Sequence, residues 1–415
     1  MAANLTTLSD ILKEYYLGPV AEQLNNEVLL LSRLETKSED LVGKRAYVPL
    51  HHGRSGGIGA RAEGIELPAA GQQDYEKAVY DLKYLYGRVE VTGPSMAKTK
   101  NEAGAFLQAL KSELDGIRND LTKDLARQIY GDGTGAVGTV AADASNSTTV
   151  AYVGTEVIRK GQLYPGFKAT IYDASATADL AGTHTVDSVD LSAGTVTFSA
   201  AVGATFAAGD KIRRAGVATY SAAEGNTYKL SDEVDGIKRI VGSTATALGG
   251  ITPTGANAWW DNQRVAVSGA LSLEAIQKGL NLARIAGGMP TSVITSLGIQ
   301  REFYDLLDQA VQYVNPESLN YAAGFKTLSY NGMPIIADID APYGTMYILD
   351  ESTLKVFSDQ DWHFLDADGM TLRQVTGYDK FEAVMARYMN IGATRRNNQV
   401  VLTGITVDGN TDAGF

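Results

Sequence analysis

The apolar positions of the chain fall into helical, extended and weakly patterned stretches. Phe106, Leu110, Leu114, Ile117, Leu121, Leu125 and Ile129 recur at spacings of 4, 4, 3, 4, 4 and 4, which sets them on one stripe of a helix. Asn101 is its candidate N-cap, and the helix would be about 40 Å long. "GDGTG" then ends it, with Gly131 expected at the left-handed position after the last turn. Upstream, Tyr80, Leu82, Tyr84 and Tyr86 alternate with period two, which predicts one face of a single strand. That strand is the return limb of a hairpin whose outgoing limb is "RAYVPL". The stretch between them, within residues 51–78, is rich in glycine, alanine and charge. A connection of this length is uncommon inside one compact domain, so it should project outward, either for function or onto a partner. Before the hairpin, helical arms are predicted over Leu8–Tyr16 and Pro19–Leu34, broken at "LGP".

Residues 141 to about 260 change character, being full of Ala, Ser, Thr, Gly and Val with few helical stripes. Short strands are predicted at "FKATIYD", "THTVDSVD", "GTVTFS" and "GDKIRR", which reads as an inserted small β-domain. Helix returns at "SLEAIQKGLNLARIAGG", between a Ser272 cap and Gly287. A strand "TSVITS", a helix "GIQREFYDLLDQAVQY" and a strand "MPIIAD" follow. "GTMYILDES", "LKVFSD" and "WHFLD" read as strands, and "FEAVMARYMNIGATRRNNQVVLTGITV" closes with two more. Strands and helices alternate without strict βαβ repetition, so the predicted class is α+β.

With 415 residues the chain can bury sizeable cores, and with no cysteine it has neither disulfides nor thiolate chemistry. The net charge of −12 argues against a protein that grips phosphate backbones. The densest basic clusters, "KIRR" at 211–214 and "TRR" at 394–396, read as solvated or salt-bridged surface. The start lacks a basic segment followed by an apolar core, so neither a signal peptide nor a membrane span is expected. Motifs that could carry catalysis fail their context tests. "GTGAVG" matches a dinucleotide fingerprint at Gly133, Gly135 and Gly138, yet follows a helix where that fingerprint follows a strand. "GRSGG" matches a nucleophile elbow at Ser55, but the residues after it are poorly helical. His51, His52, His184 and His363 lack metal-ligand spacing, and "DADG" at 366–369 lacks the later ligands of a calcium loop. No catalytic residue, cofactor or metal is assigned. What is left is a flexible arm, a projecting hairpin, one long helix and 21 tyrosines, a residue enriched at interfaces.

In that order these parts resemble the major capsid protein of tailed bacteriophages, the fold named after phage Hong Kong 97. "LHHGRSGG" to "YDLKYLYGRVEVTG" is similar to the family's extended loop, and the long helix ending in "IYGDGTG" to its spine helix. "LSLEAIQKGLNLARIAGGMPTSVITSLGIQREFYDLL" and "YNGMPIIADIDAPYGTMYILDES" resemble its A-domain, and "DKFEAVMARYMNIGATRRNNQVVLTGI" its closing strands. The resemblance implies an N-terminal arm over 1–47, an extended loop with P-domain strands over 48–92 and the spine helix over 93–140. The inserted β-domain would occupy 141–262, the A-domain 263–375, the closing strands 376–405 and a tail 406–415. It implies a non-enzymatic subunit that self-assembles as hexamers and pentamers into the icosahedral head around a double-stranded DNA genome, without sequence-specific DNA binding. Arg54, Arg61, Glu63 and Tyr75 are the loop residues expected to meet a neighbouring subunit, and Gly131, Gly133 and Gly135 the expected hinge after the spine helix. A separate scaffolding protein, a portal and a decoration protein are the implied partners, with no membrane. The implied location is the virion, assembled in the bacterial cytoplasm. Lys77 stands at the base of the loop, and no cross-link is assigned to it. The competing readings are an encapsulin-like bacterial shell and a β-rich binding or adhesion module centred on the insertion.

Overall fold

The computed structural model describes residues 29–37, 41–94, 103–140, 150–173, 179–200, 207–216, 232–311, 328–366 and 372–407. Among them the expected hairpin forms between Arg45–His51 and Tyr75–Asp81, in antiparallel register from Arg45 opposite Asp81 to His51 opposite Tyr75. Its base is closed by the Arg45 to Asp81 ion pair at 2.7 Å. One face is buried, through Ala46, Val48, Leu50, Ala78 and Tyr80. Tyr80 anchors it: the phenol donates to the Ala393 carbonyl at 2.8 Å and accepts from the Ala393 N–H at 3.1 Å.

The tyrosine stripe predicted for the return limb divides in two. The strand ends at Asp81 and a second begins at Lys83, while the Leu82 N–H turns aside to donate to the Lys44 carbonyl at 3.0 Å. That break shifts the alternation by one residue, and a one-residue slip exchanges the faces of a strand. Leu85, Gly87 and Val89 are therefore buried, and Tyr84 and Tyr86 point to solvent.

Strand Lys83–Thr92 pairs along its whole length with Lys380–Ala393, which in turn pairs with Leu354–Phe364. The last of these was expected as two strands, and it is one strand with register shifts between Ser358 and His363. The short strand Glu35–Lys37 adds in parallel at its far edge. The long helix runs from Ala103 to Ile129, and Asn101 lies outside the described residues. Ile117 and Leu121 press onto the strand at Gly87, where a Cβ would stand 2.6 Å from Leu121 Cδ1 and 2.9 Å from Ile117 Cγ1. Gly87→Val should therefore lift the helix from the sheet and cost about 2 kcal/mol, read as a lower urea midpoint with an unchanged slope.

A second sheet has the order Gln263–Ala270, Val400–Thr406, Thr345–Leu349, Ser292–Thr295, Met333–Ala337, Ser329–Tyr330. Its central strands are buried at most positions because both faces are covered. Val293, Met346, Ile348, Val400 and Leu402 face helices Leu273–Ile285 and Leu297–Val311. Ile294, Tyr347, Leu349 and Val401 face the core that holds the hairpin and the base of the long helix. Ser272 caps the first helix by accepting from the Ala275 N–H at 3.2 Å, and Gly287 ends it at φ 79°. The strand Gln263–Ala270, which the sequence reading did not single out, lies parallel to Val400–Thr406.

A third, six-stranded sheet contains the four strands predicted in the alanine-rich region and has an apolar core of its own. It begins with Ala136–Thr139 and reaches Lys211–Arg214. Residues 232–262 do not join it. Val234, Ile237, Ile240, Val241, Leu248, Ile251 and Trp260 pack into the hairpin core instead.

Candidate functional site

Two features stand out from this frame: the tip of the hairpin and the base of the long helix. Beyond the last ladder pair, the N–H groups of His52 and Gly53 both turn to the Asp74 carbonyl, at 3.1 and 3.3 Å. The two limbs then run in backbone contact, since a Cβ on Gly71 would stand 2.6 Å from the Gly56 nitrogen. Ser55 is a turn residue here, its Oγ accepting from the Gly57 N–H at 3.2 Å. Past this ribbon no regular structure buries the side chains: Ile58 is 79%, Ile65 60% and Leu67 80% exposed. Arg54, Arg61, Glu63 and Tyr75 are exposed as well, and Arg61 donates to the neighbouring Ala60 carbonyl, at 3.4 Å. Tyr75 lies against the His51 ring at 5.0 Å between centroids, and His52 stacks on Trp259 at 4.4 Å. Three apolar side chains at the end of a narrow ribbon have no means of burying one another, so the tip is a surface that a partner would cover. The residues expected at the contact were Arg54, Arg61, Glu63 and Tyr75; these apolar ones were not among them, although "GIELP" displays two of them.

The base of the long helix is tied down as firmly as the tip is free. Arg127 is buried and forks onto both oxygens of Glu233, at 3.1 and 2.5 Å, and onto Asp124 at 3.2 Å. Burial alone would lower its pKa, but Glu233 and Asp124 outweigh that and hold it well above the ordinary arginine value. Gln128 donates to Asp124 at 2.8 Å and accepts from the Val234 N–H at 3.2 Å. The Tyr130 phenol donates to Asp338 at 2.7 Å, and burial followed by the charge of Asp338 raises its pKa. Gly236 rests directly on the end of the helix, where a Cβ would meet the carbonyls of Gln128, Ile129 and Gly131. Gly131 is not the left-handed residue expected. Its N–H still donates to the Gln128 carbonyl at 2.9 Å, continuing the turn, and the positive φ values fall at Gly133 (72°) and Gly135 (75°). From there the chain enters the third sheet at Ala136.

A bridge runs back from that sheet to the second one. Lys160 pairs with Glu156 at 2.6 Å and donates to the carbonyls of Asp340 and Ala341 at 3.2 and 2.8 Å, while Glu156 accepts from the Tyr343 N–H at 3.1 Å. Beside it, burial first and then the charge of Asp338 push the Asp340 carboxyl up to about 6 from an ordinary 3.8, against the pull of Lys160, Lys123 and Arg127. The folded chain thus holds this proton more tightly than the unfolded chain does. Its contribution to stability is complete below 3.8 and is lost as pH rises through about 6. Asp340→Asn should therefore melt above the parent at pH about 7.5 and level with it at pH about 4, as followed by circular dichroism. A variant that melts lower at the higher pH would contradict the burial.

Neither basic cluster is solvated surface throughout. Arg396 is buried and donates to the carbonyls of Ile240, Thr246 and Arg239 at 2.8, 2.6 and 3.2 Å, and burial pushes its pKa down to about 10. Arg395 caps the end of helix Leu273–Ile285 through the Ala286 and Gly287 carbonyls. Arg213 is buried over the Tyr172 ring. Backbone carbonyls and an aromatic face absorb these cations, which leaves little for a phosphate backbone.

No protein-family model matches the sequence, and no curated protein does. Among solved structures, the chain is similar to the cyanophage A-1(L) capsid asymmetric unit, with a TM-score of 0.59 and 14% identity over 97% of this chain and 100% of that chain. It is similar to the capsid of a native GTA particle, with a TM-score of 0.50 and 9% identity over 98% and 100%. It is also similar to the holo-SrpI encapsulin of Synechococcus elongatus, with a TM-score of 0.49 and 8% identity over 99% and 98%. The fold of the chain is that of phage capsid proteins, as the order of its parts in sequence implied.

Proposed function

We propose that this chain is the major capsid protein of a tailed bacteriophage, a structural subunit that assembles as hexamers and pentamers into an icosahedral head around double-stranded DNA. The observation that carries the reading is the hairpin tip, where Ile58, Ile65 and Leu67 are presented to solvent at the end of a ribbon that cannot bury them. Laid across a neighbour, a tip of this kind makes a head-to-tail contact, and such contacts close into a shell when each adds a fixed rotation. Arg54, Arg61, Glu63 and Tyr75 would flank that contact.

In the same reading residues 1–47 are the arm, 48–92 the extended loop with its strands, 93–140 the spine helix, 263–375 the A-domain and 376–405 the closing strands. The third sheet is then an insertion carried on the outside of this frame. Gly131, Gly133 and Gly135 are its hinge on the helix, and the Lys160 bridge is the contact that holds it down. A scaffolding protein, a portal and a decoration protein are the expected partners, the virion the expected location and the host cytoplasm the site of assembly. Acidic overall and with the buried Arg127 and Arg396 engaged within the fold, the chain would contain DNA without gripping it. Expressed alone or with its genomic neighbours and imaged by negative-stain electron microscopy, it should give closed shells or ring-shaped capsomers. DNA inside isolated particles supports the phage reading and packaged protein cargo the encapsulin-like one. A monomer under every condition contradicts both and leaves the adhesion-module reading.

A further inference from the structure

A head-to-tail contact needs two different patches on one chain, a donor on one copy and an acceptor on the next. The hairpin tip is the first of these. Among the described residues five Ile, Leu or Met side chains are more than half exposed, and two of the five, Ile285 and Met289, lie away from the tip. At 82% and 80% they are as bare as Ile58 and Leu67.

Both sit on an elbow whose backbone is fixed. Helix Leu273–Ile285 ends in a turn closed by the Gly287 N–H to the Arg284 carbonyl at 2.8 Å and the Gly288 N–H to the Ala283 carbonyl at 2.9 Å. Gly288 lies against Asn398, where a Cβ would stand 2.5 Å from Asn398 Cβ. The Met289 N–H then donates to the buried Asp350 at 3.1 Å. A fixed backbone that presents bare apolar side chains is preorganised for a contact, since little ordering is left to be done on binding.

The charges around elbow and tip are opposite. Arg395 spans the elbow, donating to the Ala286 and Gly287 carbonyls at 2.5 and 3.0 Å, and Arg284 is exposed next to Ile285. These acceptors are neutral, and the nearby Glu351 is taken by Arg33 at 2.6 Å, so the surface of the elbow is positive. On the tip, Ile65 and Leu67 are interleaved with Glu63 and Glu66, and the return limb over 62–74 holds three acids and no Lys or Arg. The two cations of the tip, Arg54 and Arg61, belong to the outgoing limb. The tyrosines of strand Lys83–Thr92 are less suited as an acceptor. Tyr84 and Tyr86 already rest edge-on against Tyr388, and each carries a hydroxyl that burial would have to pair.

We propose that the elbow at Ile285 and Met289 receives the hairpin tip of a second copy of this chain, with Arg284 and Arg395 facing Glu63 and Glu66. Such an acceptor presupposes that copies assemble through the tip, and it names the surface on which the tip lands.

The chain has no cysteine, so an introduced pair reports a single contact. Ile65→Cys with Met289→Cys in the full-length chain, assembled and then oxidised with diamide, should give a ladder of disulfide-linked oligomers on a non-reducing gel, because every copy carries both partners. Each single variant should give dimers at most, as should Ile65→Cys with Tyr86→Cys. Glu63→Lys with Glu66→Lys should raise the subunit concentration at which particles form about tenfold, and Arg284→Glu added to them should lower it again. A general charge effect would have the opposite sign, since the two lysines reduce the net charge of −12 that repels copies from one another. Particles that form without the ladder, or with a ladder through Tyr86→Cys instead, would overturn the acceptor and leave the shell standing. A fast-running monomer, linked within one chain, would overturn it as well. A wild type that forms no particle would overturn both. Should the cysteine variant fail to assemble, an unchanged assembly concentration for the doubly reversed tip would overturn the acceptor alone.

Discussion

Ile58→Asp combined with Leu67→Asp should abolish particle formation and leave the subunit folded. Both side chains are about four-fifths exposed in the subunit, at 79% and 80%, so their replacement removes no intrachain packing. Changes at such surface positions stay within about 0.5 kcal/mol of neutral for folding. At a contact the balance reverses. Apolar anchors at the centre of an interface are worth about 2 kcal/mol or more each, and a carboxylate in their place must be stripped of water with no partner supplied. In a closed shell every subunit would lose that amount at once, so the effect on assembly is multiplied. Sedimentation velocity reads it directly, with fast particles for the parent and slow subunits of unchanged circular dichroism and Tm for the variant. Particles formed normally by the double variant would remove the tip from the assembly contact.

Glu233→Ala should be the most destabilising single change at the base of the long helix, at about 3 to 5 kcal/mol, because it leaves the Arg127 charge buried without its fork. Among the described residues Arg127 is within 3.2 Å of two acids, Glu233 and Asp124, and Asp124 is shared with Arg214. The comparison that separates lost charge pairing from lost shape is Arg127→Met with Glu233→Leu. Replacing both partners by apolar groups of similar size should recover most of the loss. Urea midpoints of the assembled-deficient loop variant, used as a soluble background, give the numbers without interference from the shell. A Glu233→Ala midpoint equal to that of its parent would mean that the pair does not hold the helix.

These two sites differ in how far the sequence disclosed them. The long helix, the hairpin, the Ser272 and Gly287 caps and most of the longer strands were readable because each rests on a local rhythm or a local stop, whereas Gln263–Ala270 and the short edge strands Glu35–Lys37, Ala136–Thr139 and Val150–Tyr152 were not. The hairpin tip was readable as a projection, since so long a glycine-rich connection has nowhere to fold. The tyrosine stripe misled because a single residue, Leu82, leaves the ladder for Lys44 and exchanges the faces after it. Gly131 misled because the helix tightens through it and the left-handed turns come two and four residues later.

The arginines were illegible for another reason. Arg127 meets Glu233 across 106 residues and Arg396 meets Ile240 across 156, so the groups that bury them lie far outside any window of local pattern. An arginine destined for the core reads the same as one destined for solvent until its partners are placed. The same holds for Gly236, whose close approach to three helix carbonyls leaves no mark on its neighbours in sequence.

The central claim is that copies of this chain build a shell through the hairpin tip. A cryo-electron microscopy reconstruction of the particles formed by the purified wild-type chain tests it most directly. The account predicts residues 52–74 lying across an adjacent copy, with Ile58, Ile65 and Leu67 covered by it. A tip left in solvent in the assembled particle, or a chain that forms no particle at any concentration, would contradict it.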